Sequence, residues 1–308
     1  MKLVRGFSVK ASPDIVRVLA RVALPARPRA KPRAEVLEKL DASLLHESLN
    51  ARDRRLVFRP SKAYHLEQGE TVQHKGRTLQ PMKYPGLPSV ADLSSLVETS
   101  TTAADLDETW EFFKQYHEYE NSRVNLRPEQ FSALIRKSAE IGELPNTIHR
   151  IFGHRTQFSQ YTTPAVFSEA LRLYALLVPY LSRRAKNTLY KIYYRAEGES
   201  GRELPLLYGI VKYGEKFGTD DATKIKQVVG SAVDAVSSGG TKGLNPIDIA
   251  LGLEAAKLLG PVGEPLAKLL DVEQNPAREE QELVSVRVLE NPAESVEPEG
   301  QAPLVEEA

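Results

Sequence analysis

The stretches PEQFSALIR (residues 128–136) and PAVFSEALR (residues 164–172) decide how this chain reads. Proline, a Phe-Ser pair, a branched aliphatic residue and an arginine return at one offset of 36 residues. That offset suits one helix-turn-helix unit of a stacked array, in which each hairpin buries its apolar face against the next. The expectation is an all-α chain, an α-solenoid of helical hairpins.

Adding the offset to Ile135 gives Leu171 and Leu207, and adding it to Ala139 gives Ala175 and Val211. Gly142 maps through Val178 to Gly214, and subtracting the offset takes Phe152 to Tyr116. Three to four units over 88–217 would suffice for a stable array. Within a unit Phe131, Leu134, Ile135 and Ser138 or Ala139 form a stripe of period 3.6. Gly142 stops that helix, and Pro145 opens a second one carrying Ile148, Ile151 and Phe152.

The chain has 308 residues, 41% of them apolar, enough for a sizeable core. It lacks cysteine, which excludes disulfides, thiolate chemistry and cysteine-based zinc sites and suits a reducing compartment. No apolar run reaches the length of a membrane span. The net charge of zero hides a polarity between the ends. Residues 1–33 hold nine Lys/Arg against Asp14, a balance of +8, whereas 271–308 hold eleven acids against Arg278 and Arg287, a balance of −9.

Residues 1–33 are basic and amphipathic, with Ile15, Val18, Leu19 and Val22 set among Arg17 and Arg21. That is the composition of a mitochondrial transit peptide. A basic arm retained to bind an acidic partner is the alternative. Residues 34–87 read as an irregular extended arm, with a short helix over Leu40, Leu44, Leu45 and Leu49 and a small hairpin near His74. After the repeats, 218–272 read as capping helices, Asn245 serving as N-cap and Pro246 as N1 of one of them. Residues 273–308 read as a disordered acidic tail rich in Pro and Glu.

Catalytic patterns are missing. The six histidines form no HExxH, and His149 and His154 would stand about 140° apart round a helix. In Gly198-Glu199-Ser200-Gly201-Arg202 an arginine stands where a nucleophile elbow needs glycine. Gly239-Gly240-Thr241-Lys242-Gly243 has phosphate-loop ingredients in the wrong order. A non-enzyme without cofactor or metal is expected.

Cationic charge inside the repeats is the functional signal. Arg123, Arg127, Arg136, Lys137, Arg150, Arg155, Arg172, Arg183, Arg184, Lys186, Lys191 and Arg195 face four glutamates in the same span, a balance of +8. Equivalent positions of stacked hairpins would set Arg136 and Arg172 in an outward ladder that neutralises successive phosphates without reading bases. Tyr190, Tyr193 and Tyr194 interleave with the later cations, so they either stack on unpaired bases or belong to the core.

The Pro-x-x-Phe-Ser start, Gly142 and the closing Ile151-Phe152 resemble degenerate pentatricopeptide (PPR) repeats, helical hairpins that bind RNA in organelles. Ser132 and Ser168 fall where that family places a small base-reading residue, but the proline-to-aromatic spacing is one shorter than the family's and no base code is carried over. With leader, arm and acidic tail, the whole chain is similar to a fungal-type mitochondrial small-subunit ribosomal protein. The resemblance implies a structural component in the mitochondrial matrix, holding ribosomal RNA and neighbouring small-subunit proteins, with no integral membrane span. A free RNA-binding translational activator or processing factor is an alternative, and a TPR-type assembly scaffold is another.

Overall fold

The computed structural model describes residues 30–118, 126–218, 222–239 and 244–274, and among them the fold is all-α apart from one two-stranded hairpin. Helix α1 (Arg33–Ser48) is followed by α2 (Ala51–Phe58) and the short α3 (Ala63–Glu67). Strands β1 (Val72–His74) and β2 (Arg77–Leu79) pair antiparallel, Val72 opposite Leu79. Their turn takes Lys75 and Gly76 at φ 48° and 77°, the left-handed pair that matches strand twist in a two-residue loop.

The hairpins come next: α4 (Val90–Glu98) with α5 (Ala103–Glu118), α6 (Pro128–Ile141) with α7 (Leu144–Gly153), and α8 (Pro164–Leu177) with α9 (Ala185–Arg195). After them stand α10 (Glu203–Phe217) with α11 (Ala222–Gly239), and α12 (Pro246–Leu259) with α13 (Glu264–Gln274). First helices pack in a row, α4 on α6, α6 on α8, α8 on α10 and α10 on α12, and each carries its second helix beside it. Residue 217, the expected end of the repeats, is the last residue of α10, the first helix of one hairpin. One continuous core runs from Val36 to Leu270 through this row.

The offset of 36 residues is visible as matched bounds, since α6 and α8 have the same length and start 36 residues apart. Phe131 is fully buried in α6, between Phe113, Trp110, Phe158 and Tyr161. Gly142 takes φ 87° and ends α6, as a left-handed C-cap glycine should. The mapping to Gly214 does not hold. Gly214 lies within α10, and the left-handed cap of that helix is Gly218, because the fourth hairpin starts 39 residues after the third. Asn245 caps α12 through its side chain, accepting from the Ile247 backbone N–H, with Pro246 at N1.

More of 34–87 is regular than an extended arm would be. Helix α1 presents two stripes: Val36, Leu40 and Leu44 enter the main core, while Leu45 joins Leu49, Leu56, Val57, Phe58 and Val72 in a second, small core. Asn50 caps α2, accepting from the N–H groups of Arg52 and Asp53. Residues 80–89 carry no regular structure and return along this unit, with Met82 N–H donating to the Val57 carbonyl. The acidic stretch beyond residue 274 and the leader up to residue 29 lie outside the described residues.

Candidate nucleic-acid interface

Helix α9 has one buried and one open face. Ala185, Leu189 and Ile192 are buried against the row of first helices. At 100° per residue Arg184, Asn187, Lys191, Tyr194 and Arg195 gather within about 100° of arc outside the buried stripe, and all five are exposed. No acidic residue occurs in α9. Tyr194 is 68% exposed, the most exposed large apolar side chain described. The other two tyrosines belong to the fold. Tyr190 and Tyr193 are half-buried against the core, and Tyr193 donates to Glu203 while the Arg202 guanidinium lies 4.6 Å from its ring centroid.

A second group of cations meets where α9 begins and α10 ends. Arg183 stands 5.9 Å and the Lys216 ammonium 5.1 Å from the Phe217 ring centroid, and the Lys186 ammonium is 5.8 Å from that of Tyr213. Tyr213 Oη donates to the Arg183 carbonyl at 3.0 Å and Lys216 Nζ to the Leu181 carbonyl at 2.7 Å, fixing the joint. Lys212 one turn earlier is held by Glu215 and Glu254, each at 3.3 Å. Lys216 had no place in the sequence reading because it lies beyond the span counted there. Its signal was the neighbouring Tyr213 and Phe217 on the same end of α10.

The remaining cations are spread out. Arg127 and Arg155 are exposed at the start of α6 and after α7. Lys137 pairs with Glu140 one turn on, and Arg150 with Asp107 of α5 at 2.6 Å. Arg123 lies outside the described residues.

The outward ladder of Arg136 and Arg172 is not what the structure holds. Arg136 pairs with Glu169 on α8, the second contact from Nη2 to Oε2 being 3.0 Å. Arg172 Nε donates to Asp248 Oδ1 on α12 at 2.7 Å. Their side chains are about one-fifth exposed, because each lies between first helices and bridges two of them. Equivalent positions do point alike, but toward carboxylates of the next hairpins. Ser132 is half-buried and Ser168 is fully buried, so no base can reach Ser168.

Among the described residues no three His, Asp or Glu side chains come together as a metal site. His154 packs edge-on against Trp110 at 5.7 Å and bonds to Gln157 at 3.1 Å. Among these residues no helix is long and apolar enough to cross a membrane.

Residues 17–99 match the family model described as MRP13-like N-terminal domain, a mitochondrial ribosomal protein family. The match supports a mitochondrial ribosomal protein. It spans about a quarter of the chain, from within the basic leader to the end of α4, and stops before the hairpins that carry the cationic face. No curated protein and no solved structure matches the chain.

Proposed function

We propose that this chain is a non-catalytic component of the mitochondrial small ribosomal subunit, working in the matrix, and that it seats on ribosomal RNA through α9 and the α9–α10 joint. The observation carrying this is the open stripe of Arg184, Lys191 and Arg195 beside Tyr194, on a helix without an acid. Phosphates are attracted to such a stripe by charge and by release of condensed counterions, with no base identity required. Tyr194 offers a flat face on which an unpaired base stacks, worth about 1–3 kcal/mol. Arg183, Lys186 and Lys216 widen the same positive field at the joint, and Arg127 and Arg155 extend it toward the earlier hairpins. The row of hairpins supports the α-solenoid reading: its role is to hold this face at a fixed place while the N-terminal unit engages neighbouring proteins.

The test is association with the small subunit. Chains carrying Arg184→Glu, Lys191→Glu and Arg195→Glu together should leave the small-subunit fraction in a sedimentation gradient at a salt concentration where the parent chain stays. Retention of the triple variant through high salt would sink the RNA-facing role of α9.

A further inference from the structure

An open groove of about 880 Å³ runs along the outer stripe of α1, bounded by the β-hairpin and by Gln115 of α5. Leu37, Glu38, Asp41 and Leu45 line it from α1, and Leu79 and Met82 from the other side. It is apolar at its floor and acidic along the helix. Asp41 has no cationic partner among the described residues, and the concavity pushes its carboxyl pKa up, with Glu108 adding repulsion. Glu108 itself is held by Arg33 at 2.6 Å, and Lys75 and Arg77 stand on the hairpin side.

We propose that residues 17–29 of this chain (RVLARVALPARPR) occupy this groove. The family match begins at Arg17 and ends at residue 99, so the matched unit consists of this segment together with α1, the hairpin and α4, the elements that build and back the groove. The tether has the right place. The described chain begins at residue 30, four residues before Ala34, which lines the groove. The length suffices as well: thirteen residues span about 20 Å as helix and about 43 Å extended, against about 24 Å for α1. Val18, Leu19, Val22 and Leu24 supply apolar contact for Leu37, Leu45 and Met82. Arg17 and Arg21 supply cations for Glu38 and Asp41. Proteolytic trimming of the leader then falls upstream of Arg17.

The absence of native cysteine makes the test clean. In the full chain, Val22→Cys with Met82→Cys and, separately, Leu24→Cys with Leu37→Cys are treated with a short thiol-to-thiol crosslinker, alongside a control pairing Val22→Cys with the exposed Ser231→Cys. Intramolecular crosslinking several-fold above the control, weakened when Glu38→Lys and Asp41→Lys are added, is the expected result. Crosslinks no more frequent than the control in both pairs would overturn the proposal. So would links only between molecules, which would assign the groove to a second copy, or a mature mitochondrial protein starting downstream of Arg29. None of these outcomes depends on RNA binding by α9.

Discussion

Arg172 of α8 donates from Nε to Oδ1 of Asp248 in the first turn of α12, 2.7 Å away, at a carboxylate with no solvent exposure. The pair ties two first helices that are separated by α10 in the row. Glu169, the partner of Arg136, has Tyr208 as its counterpart 39 residues on in α10, which offers no carboxylate, so Arg172 reaches a hairpin further. Removing either partner leaves the other charge buried, a loss of about 3–5 kcal/mol, whereas exchanging both for apolar groups of similar volume is often near neutral. Arg172→Met and Asp248→Leu should therefore each destabilise strongly, and the double variant far less than their sum. Additive losses in urea denaturation would show that the pair is not coupled.

Asp248 and Asp92 should oppose each other in acid. Burial raises Asp248, against the pull of Arg172, so the native state keeps its proton to higher pH than the unfolded chain, and this group's stability contribution falls as pH rises from about 4 through the raised value. At Asp92 burial also acts upward, but hydrogen bonds from Lys31, Lys39 and Ser89 outweigh it and hold the carboxyl well below the usual range. Asp105 is held at about 2, led by the Thr101 backbone N–H. For these two the unfolded chain binds more protons, so their contribution is full above about 4 and is lost as pH falls through the native values. Asp92→Asn should flatten the acid limb of stability between about pH 4 and 2, while Asp248→Asn should steepen the fall of stability just above about pH 4, where native Asp248 takes up its proton.

Arg33 joins α1 to the turn between α4 and α5. Its guanidinium donates to the Leu96 carbonyl and the Asp105 carbonyl, each at 2.9 Å, and pairs with Glu108 at 2.6 Å. A chain starting at Ala34, with the whole expected leader removed, would lose this clamp and the Lys31 bond to Asp92. It should melt several degrees below a chain starting at residue 30, since hydrogen bonds to a charged group contribute about 1.5–3 kcal/mol. Equal melting temperatures would place no structural weight on Lys31 and Arg33.

Two glycines separate close packing from open space. A Cβ at Gly263 would stand 2.2 Å from the Ala256 carbonyl oxygen, where α13 turns back on α12, and backbone cannot yield cheaply. Gly230, in the exposed face of α11, meets nothing. Gly263→Ala should cost at least about 2 kcal/mol, as overpacking does. Gly230→Ala should stabilise by up to about 1 kcal/mol through helix propensity. Thermal unfolding of both variants checks the contrast.

The fold was legible where local chemistry fixes geometry. Phe131 and Phe167 announced equivalent helices, Gly142 a left-handed cap and Asn245-Pro246 a helix start, because each signal acts within a few residues. The fourth hairpin slipped because the turn between α8 and α9 is longer than its counterpart between α6 and α7, moving the cap from Gly214 to Gly218. The fates of Arg136 and Arg172 were illegible for a different reason. Arginine on a half-buried helix edge looks the same in sequence whether it meets water or a carboxylate, and Asp248 lies 76 residues from its partner. Of the cationic span, the α9 face was the part that its own periodicity could have isolated: Arg184, Lys191 and Arg195 fall within about 40° of arc, a stripe separate from that of Leu189 and Ile192.

The α9 face also predicts a salt dependence. Each phosphate neutralised by a cation adds about 0.7–0.9 to the slope of log K against log salt. If Arg184, Lys191 and Arg195 each engage one phosphate, changing all three to Glu should lower the slope for ribosomal RNA by about 2–3. Helicity should stay, since the side chains are exposed and glutamate is a good helix former. Arg136→Gln with Glu169→Gln removes an equal and opposite pair that is turned away from solvent, and should leave the slope as it was. Tyr194→Ala should weaken binding to single-stranded RNA at every salt concentration without altering the slope, because stacking releases no counterion. A slope that responds to the Arg136–Glu169 pair and ignores the α9 triple would move the polyanion contact off α9 and onto the packed edges of the first helices.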